Sequence, residues 1–114
     1  MPEEASQWVN AVAKLTEITQ QGRLKWASIG RVSGTIGPSF VTNYKNRNLR
    51  LSRVSRHELG EFAMVREVTQ LEFIDDSGNA LWSFPESAAL DDLYQAAKFQ
   101  AAGVQDFLTD ILKE

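Results

Sequence analysis

The residues best equipped to do chemistry in this sequence are cationic. Arg47, Arg50, Arg53 and Arg56 recur at every third position, with Lys45 and Arg31 nearby and Tyr44 beside them. Guanidinium forks grip phosphate oxygens, and a basic sheet surface with an aromatic on which a base can stack is one way to hold single-stranded nucleic acid. Tyr44, Lys45, Arg47, Arg50, Arg53 and Arg56 are therefore the candidate contacts for a nucleic acid or phosphate ligand. Strand alternation divides them, however. It places Arg50 with Arg56 on one face and Arg47 with Arg53 on the other, where the second pair flanks Leu49 and Leu51. The simpler role is that of solubilising edge charges, some paired with acids elsewhere in the chain, which also discourage unwanted sheet extension.

The remaining candidates are weaker. His57 is the single histidine, the residue type suited to proton transfer at neutral pH, and Glu58 follows it. Neighbouring strand residues point to opposite faces, so the two do not form an acid–base pair by adjacency, and a surface role is expected. Asp75-Asp76-Ser77-Gly78-Asn79 concentrates oxygen ligands but lacks the alternating spacing and distant glutamate of a calcium loop, and its composition is that of a turn. Asp91 and Asp92 are consecutive. On a helix they diverge by about 100°, so they suit the positive end of a helix dipole better than a shared catalytic site. No Gly-x-Ser-x-Gly elbow, Gly-x-x-x-x-Gly-Lys loop or Gly-x-Gly-x-x-Gly turn is present. No catalytic residue, metal ligand or cofactor is expected.

Composition narrows the classes further. The chain has 114 residues, no cysteine and one histidine, which removes disulfide frameworks, thiolate sites and multi-histidine metal centres. A single domain spanning 1–114 is expected. No apolar run approaches the roughly 20 residues of a membrane helix, and Met-Pro-Glu-Glu lacks the character of a signal peptide, so a bacterial-type cytoplasmic protein is the expectation. The net charge of −3 conceals a steep gradient. Residues 23–66 hold nine basic residues against two acids, whereas residues 67–114 hold ten acids against two lysines. Either a basic patch is presented, or the two segments attract each other within the fold or across an oligomer.

The elements that must position these residues follow from periodicity. Trp8, Val12, Leu15 and Ile18 recur at helical spacing, broadened by Val9 and Ala11, between the start signal Pro2-Glu3-Glu4 and the exit residue Gly22, which predicts a helix over 4–21. Leu24–Ile29 reads as a first strand, and Gly30–Pro38 as a loop. Phe40–Val54 reads as a hairpin turning at Asn46-Arg47-Asn48, and Ser55–Ala63 as a connector carrying His57 and Gly60. Val65–Ile74 and Leu81–Phe84 form the clearest hairpin, across 75–79. After Pro85, Ser87 is a candidate N-cap for a closing helix whose stripe is Leu90, Leu93, Tyr94, Ala97, Ala101, Val104, Leu108 and Ile111, with Gly103 able to kink or split it. Terminal helices around consecutive hairpins imply an α+β fold, an antiparallel sheet of about five strands with the helices on one face.

Three phrases carry a resemblance: Leu15–Thr19 with Gly22-Arg23-Leu24-Lys25-Trp26, Leu71-Glu72-Phe73 through Gly78 to Trp82-Ser83-Phe84, and Leu93-Tyr94-Gln95-Ala96-Ala97. Together they resemble small bacterial hypothetical proteins without an assigned activity, in which a Thr-x-x-Gly-x-x-x-Trp-like phrase leads from a helix into an antiparallel sheet and a Leu-Tyr-x-x-Ala phrase lies on the closing helix. The resemblance covers most of the chain outside residues 30–63. It implies a fold and no site residues.

The functional expectation comes from architecture. Two helices cover one face of a sheet, and three Trp with six Phe are a rich aromatic supply for an open sheet face or the closing helix to build a symmetric homodimer. An interaction or regulatory protein binding a macromolecular partner is expected, with nucleic-acid or phosphate binding through residues 44–56 as the alternative. A small-molecule binder or an enzyme with an unrecognised pocket is the third reading.

Overall fold

A computed structural model describes residues 2–58 and 64–114, with Pro2–Ala5 and Glu58 described in backbone alone. The chain runs α1 (Pro2–Gln20), β1 (Ala27–Arg31), β2 (Pro38–Tyr44), β3 (Arg47–Glu58), β4 (Met64–Ile74), β5 (Ala80–Ser83), α2 (Ala88–Ala101) and α3 (Val104–Leu112). The five strands form one antiparallel meander in the order β1-β2-β3-β4-β5, and the helices pack against it, as the α+β expectation requires.

The sequence phrases now acquire physical causes. The α1 helix ends where Gly22 adopts φ +74°, the left-handed conformation that a glycine enters without strain, and the amides of Arg23 and Leu24 turn back to the Ile18 carbonyl at 2.9 and 3.1 Å. Thr19, 2% exposed, donates to the Leu15 carbonyl and accepts the indole N–H of Trp26 at 2.9 Å. The spacing from Thr19 through Gly22 to Trp26 thus closes a helix stop upon itself. Gln100 of α2 completes the joint. Its Oε1 accepts the Trp26 amide at 2.8 Å, and its Nε2 donates to the carbonyls of Thr19 and Leu24 at 2.9 and 2.7 Å. At the other side of α2, the Tyr94 hydroxyl donates to the Pro38 carbonyl at 2.7 Å, and its ring meets Phe40 edge-on at 5.5 Å.

The core lies between the helices and one sheet face: Val12 and Ile18 of α1, Phe40, Leu49, Leu51 and Leu71 of the sheet, and Leu90, Leu93, Tyr94 and Ala97 of α2. The aromatic supply is largely consumed here. Trp8 stands 4.7 Å from Trp82 and 5.3 Å from Phe84 between ring centroids, and Phe73 stacks on Phe84 at 5.4 Å. By alternation the opposite face presents Val41, Arg50, Ser52, Val54, Gln70 and Glu72. It is mainly polar, with the hydroxyls of Ser39 and Ser52 bonded at 2.9 Å, and these strand positions carry no aromatic side chain.

Several expectations are corrected. Leu24 and Trp26 are buried but precede β1, because their backbone groups are held by α1 and Gln100 rather than by a strand. Gly30 lies within β1, beside an irregularity of register between Ser28 and Gly30. The β2–β3 turn is Lys45-Asn46, both at positive φ, a two-residue reversal whose twist suits the hairpin. Arg47 and Asn48 already belong to β3, because Asn43 and Asn48 pair side chains across the ladder at 2.9 Å. Ser55–Glu58 extend β3 instead of crossing between strands, and residues 59–63, with Gly60, lie outside the described residues. Val9 and Ala11 of α1 are exposed, so the core stripe is narrower than its spacing suggested, and the Glu3 and Glu4 side chains lie outside the described residues. Ser87 occupies the N-cap position of α2, yet its side chain makes no capping bond. Gly103, at φ +71°, divides the closing helix in two, and the expected core stripe fails from Ala101 onward: Ala101 is exposed and no residue of α3 is buried.

Candidate interaction surface

The arginine constellation is placed first by the ladder. β3 and β4 pair from Asn48 with Ile74 to Glu58 with Met64, bringing the basic strand against the first acids of the second half of the chain. Arg50 directs Nε and Nη2 to Oε1 of Glu72 at 3.2 and 3.0 Å and Nη1 to the Gly78 carbonyl at 2.8 Å, with only 9% of the Glu72 side chain exposed. Arg53 lies on the other face, 5.9 Å from the Tyr94 ring centroid and bonded to Thr69 at 3.0 Å, with Glu67 and Asp91 each at 3.4 Å. Arg56 pairs with Glu86 at 3.1 Å, and Arg66 meets the same carboxylate at 3.2 Å. The predicted division into two faces therefore holds, and three of the four arginines turn their charge toward carboxylates of the same chain.

Arg47 stays at the hairpin end, where its Nη1 donates to the Lys45 carbonyl at 3.3 Å and the Lys45 ammonium lies 5.5 Å from the Tyr44 ring centroid. Tyr44, Lys45 and Arg47 are exposed together, but the structure does not join them to Arg50, Arg53 and Arg56 in one stripe. A phosphate chain would compete with carboxylates for Arg50, Arg53 and Arg56, whereas among the described residues no carboxylate pairs with Lys45 or Arg47.

The other chemistry-bearing residues separate. His57 is exposed in β3 opposite Val65, and among the described residues it makes no hydrogen bond or ion pair. Asp75 accepts the amides of Asn79 and Ser77 at 2.9 Å each, together with the Asn79 side chain at 3.3 Å, and these bonds, the Asn79 amide foremost, hold its carboxyl below the usual carboxylate range. That is turn construction. Asp91 accepts the Thr69 hydroxyl at 2.6 Å, while Asp92 lines a different surface, so the two aspartates never share a site. Among the described residues no group of three His, Asp or Glu is placed to hold a metal ion.

Two surface features were not legible as sites. The first is an open groove of about 810 Å³ between the end of α1 and the α2–α3 junction, where Gln20, Gln95, Gln105, Lys25, Asp92 and Phe99 contribute to its lining. Gln100 also lines it, but its amide is already fully engaged with backbone partners, so the groove floor is a structural joint. The second feature is α3. Val104, Phe107, Leu108, Ile111 and Leu112 follow the i, i+3, i+4, i+7, i+8 pattern of a buried helix face. Yet Phe107 is 62% exposed, Ile111 50% and Leu112 82%. The helical spacing was visible in sequence. What periodicity does not encode is whether the fold has anything to lay against the stripe.

The chain matches no family model, no curated protein and no solved structure.

Proposed function

We propose that this protein is a small interaction module that binds another protein, acting as a homodimer, rather than a catalyst. One observation carries the reading: the apolar stripe of α3 is complete in pattern and uncovered in the fold. A face of this kind costs solubility unless something docks on it, and amphipathic helices are a recurring mode of protein recognition. Two further observations support it. Three of the four arginines that would make a nucleic-acid surface pair with carboxylates of the same chain. The polar residues of α3 include Asp106 and Asp110, which repel phosphates.

The test is affinity capture with the intact chain and with a Phe107→Asp, Ile111→Asp double variant as baits. A protein retained by the first and lost by the second, whether a second copy or another chain, is expected. Retention of nothing that depends on α3 overturns the reading.

A further inference from the structure

Resting on that reading of α3 as a docking face, we propose that its occupant is a second copy of the same helix, packed antiparallel across a two-fold axis that passes near Leu108. At about 100° per residue, Val104, Phe107, Leu108, Ile111 and Leu112 cover roughly 140° of the helix, while Asp106, Asp110 and Lys113 project from the far side. The seam between two such helices contains no charge, so association buries none unpaired. Leu108 is the midpoint of α3, and full antiparallel overlap sets Val104 beside Leu112 of the second copy. In that arrangement the positive end of each helix dipole lies beside the negative end of the other, which a parallel pairing would not achieve.

Area favours the same occupant. Taking about 150–200 Å² for a large apolar residue, the exposed parts of Phe107, Leu108, Ile111 and Leu112 amount to roughly 400 Å² per chain. Two copies would bury about 800 Å² of apolar surface, and at the roughly 65% apolar content of homodimer interfaces the whole contact approaches about 1,200 Å², the lower end of the range of specific complexes. An anionic membrane fits less well, because the polar side of α3 carries Asp106 and Asp110 where membrane-surface helices carry Lys and Arg.

The experiment is light scattering of the intact chain from about 1 to 100 µM, where association must show itself by mass action. A mass near twice 12.8 kDa is expected, falling to the monomer value in the Phe107→Asp, Ile111→Asp double variant with an unchanged circular-dichroism spectrum, since neither side chain is buried in the single chain. Because the chain has no cysteine, Leu108→Cys should close a disulfide between copies on mild oxidation, whereas Asp106→Cys on the far side should not. A monomer throughout the range, a dimer that survives the double variant, or equal cross-linking at both positions overturns the proposal. So does flotation of the chain with phosphatidylcholine vesicles that the double variant abolishes, which would assign α3 to a membrane surface. If the pure chain is monomeric while capture still finds a different protein through α3, the second copy and the homodimer are ruled out, and only the binding of another protein through α3 stands.

Discussion

Arg50 shows how little a residue type decides by itself. Its spacing from Arg47, Arg53 and Arg56 suggests a phosphate grip, yet its guanidinium is held by Glu72 and the Gly78 carbonyl on the polar sheet face. Removing it strands the Glu72 carboxylate, 9% exposed on its side chain, without its partner. Arg50→Ala should therefore lower stability by about 2 kcal/mol in urea denaturation, and Arg50→Met combined with Glu72→Leu should recover much of that loss, since an apolar pair avoids the stranded charge. Tyr94 makes a second prediction at this scale. Burial, which penalises the charged phenolate, pushes its hydroxyl pKa up, the Arg53 cation opposing in part. A raised folded pKa means that the native state keeps a proton which the unfolded chain gives up. The contribution is complete below about pH 10, the unfolded value, and is lost as pH rises through the folded value above it. Tyr94→Phe should cost about 1 kcal/mol at pH 7 and remove this part of the alkaline decline in denaturant melts.

At the level of elements, the strongest signals were those in which local chemistry and tertiary demand agree. The β4–β5 hairpin was readable because Asp75, Gly78 and Asn79 build the turn from their own side chains and backbone, independently of the rest of the fold. The first strand starts later than expected because Leu24 and Trp26 look like strand residues while their backbone partners are the Ile18 carbonyl of the preceding helix and Gln100, distant in sequence. The closing helix is the sharpest case. Leu90 to Ala97 and Val104 to Ile111 continue one apolar stripe in sequence, but the αL backbone at Gly103 separates a buried helix from an uncovered one. A chain ending at Ala102 should then still unfold in one cooperative transition, because α3 contributes no buried residue to the single chain, with its midpoint lowered only by what dimerisation through α3 adds to the intact protein. A collapse of the cooperative transition on truncation would show instead that α3 supports the monomer core.

At the level of the whole molecule, the basic and acidic stretches of sequence meet inside the fold. Arg50 with Glu72, Arg53 with Glu67 and Asp91, and Arg56 and Arg66 with Glu86 join the two segments across β3, β4, the connection after β5 and α2. The charge gradient is thus in part an internal complementarity: four of the nine basic residues of 23–66 meet carboxylates of the 67–114 segment. Labelled single-stranded DNA or RNA should show no salt-dependent rise in anisotropy with micromolar protein, and binding that weakens linearly in log salt would restore Tyr44, Lys45 and Arg47 as a working contact. The outer part of the β3–β4 ladder reaches past the pairings with β2 and β5 and exposes Met64 and Val65.

The sequence by itself determined the class of architecture and most of its elements, because periodicity, turn residues and glycine exits act over a few residues and are written where they act. It also identified the stripe on α3 as apolar and helical. Only the tertiary structure decided which stripes find a partner and which charges are cancelled. Burial of Leu93 and exposure of Phe107 depend on what lies opposite them, and the neutralisation of Arg53 depends on a strand and a helix far along the chain. These are properties of distance in space, which residue type and spacing do not contain.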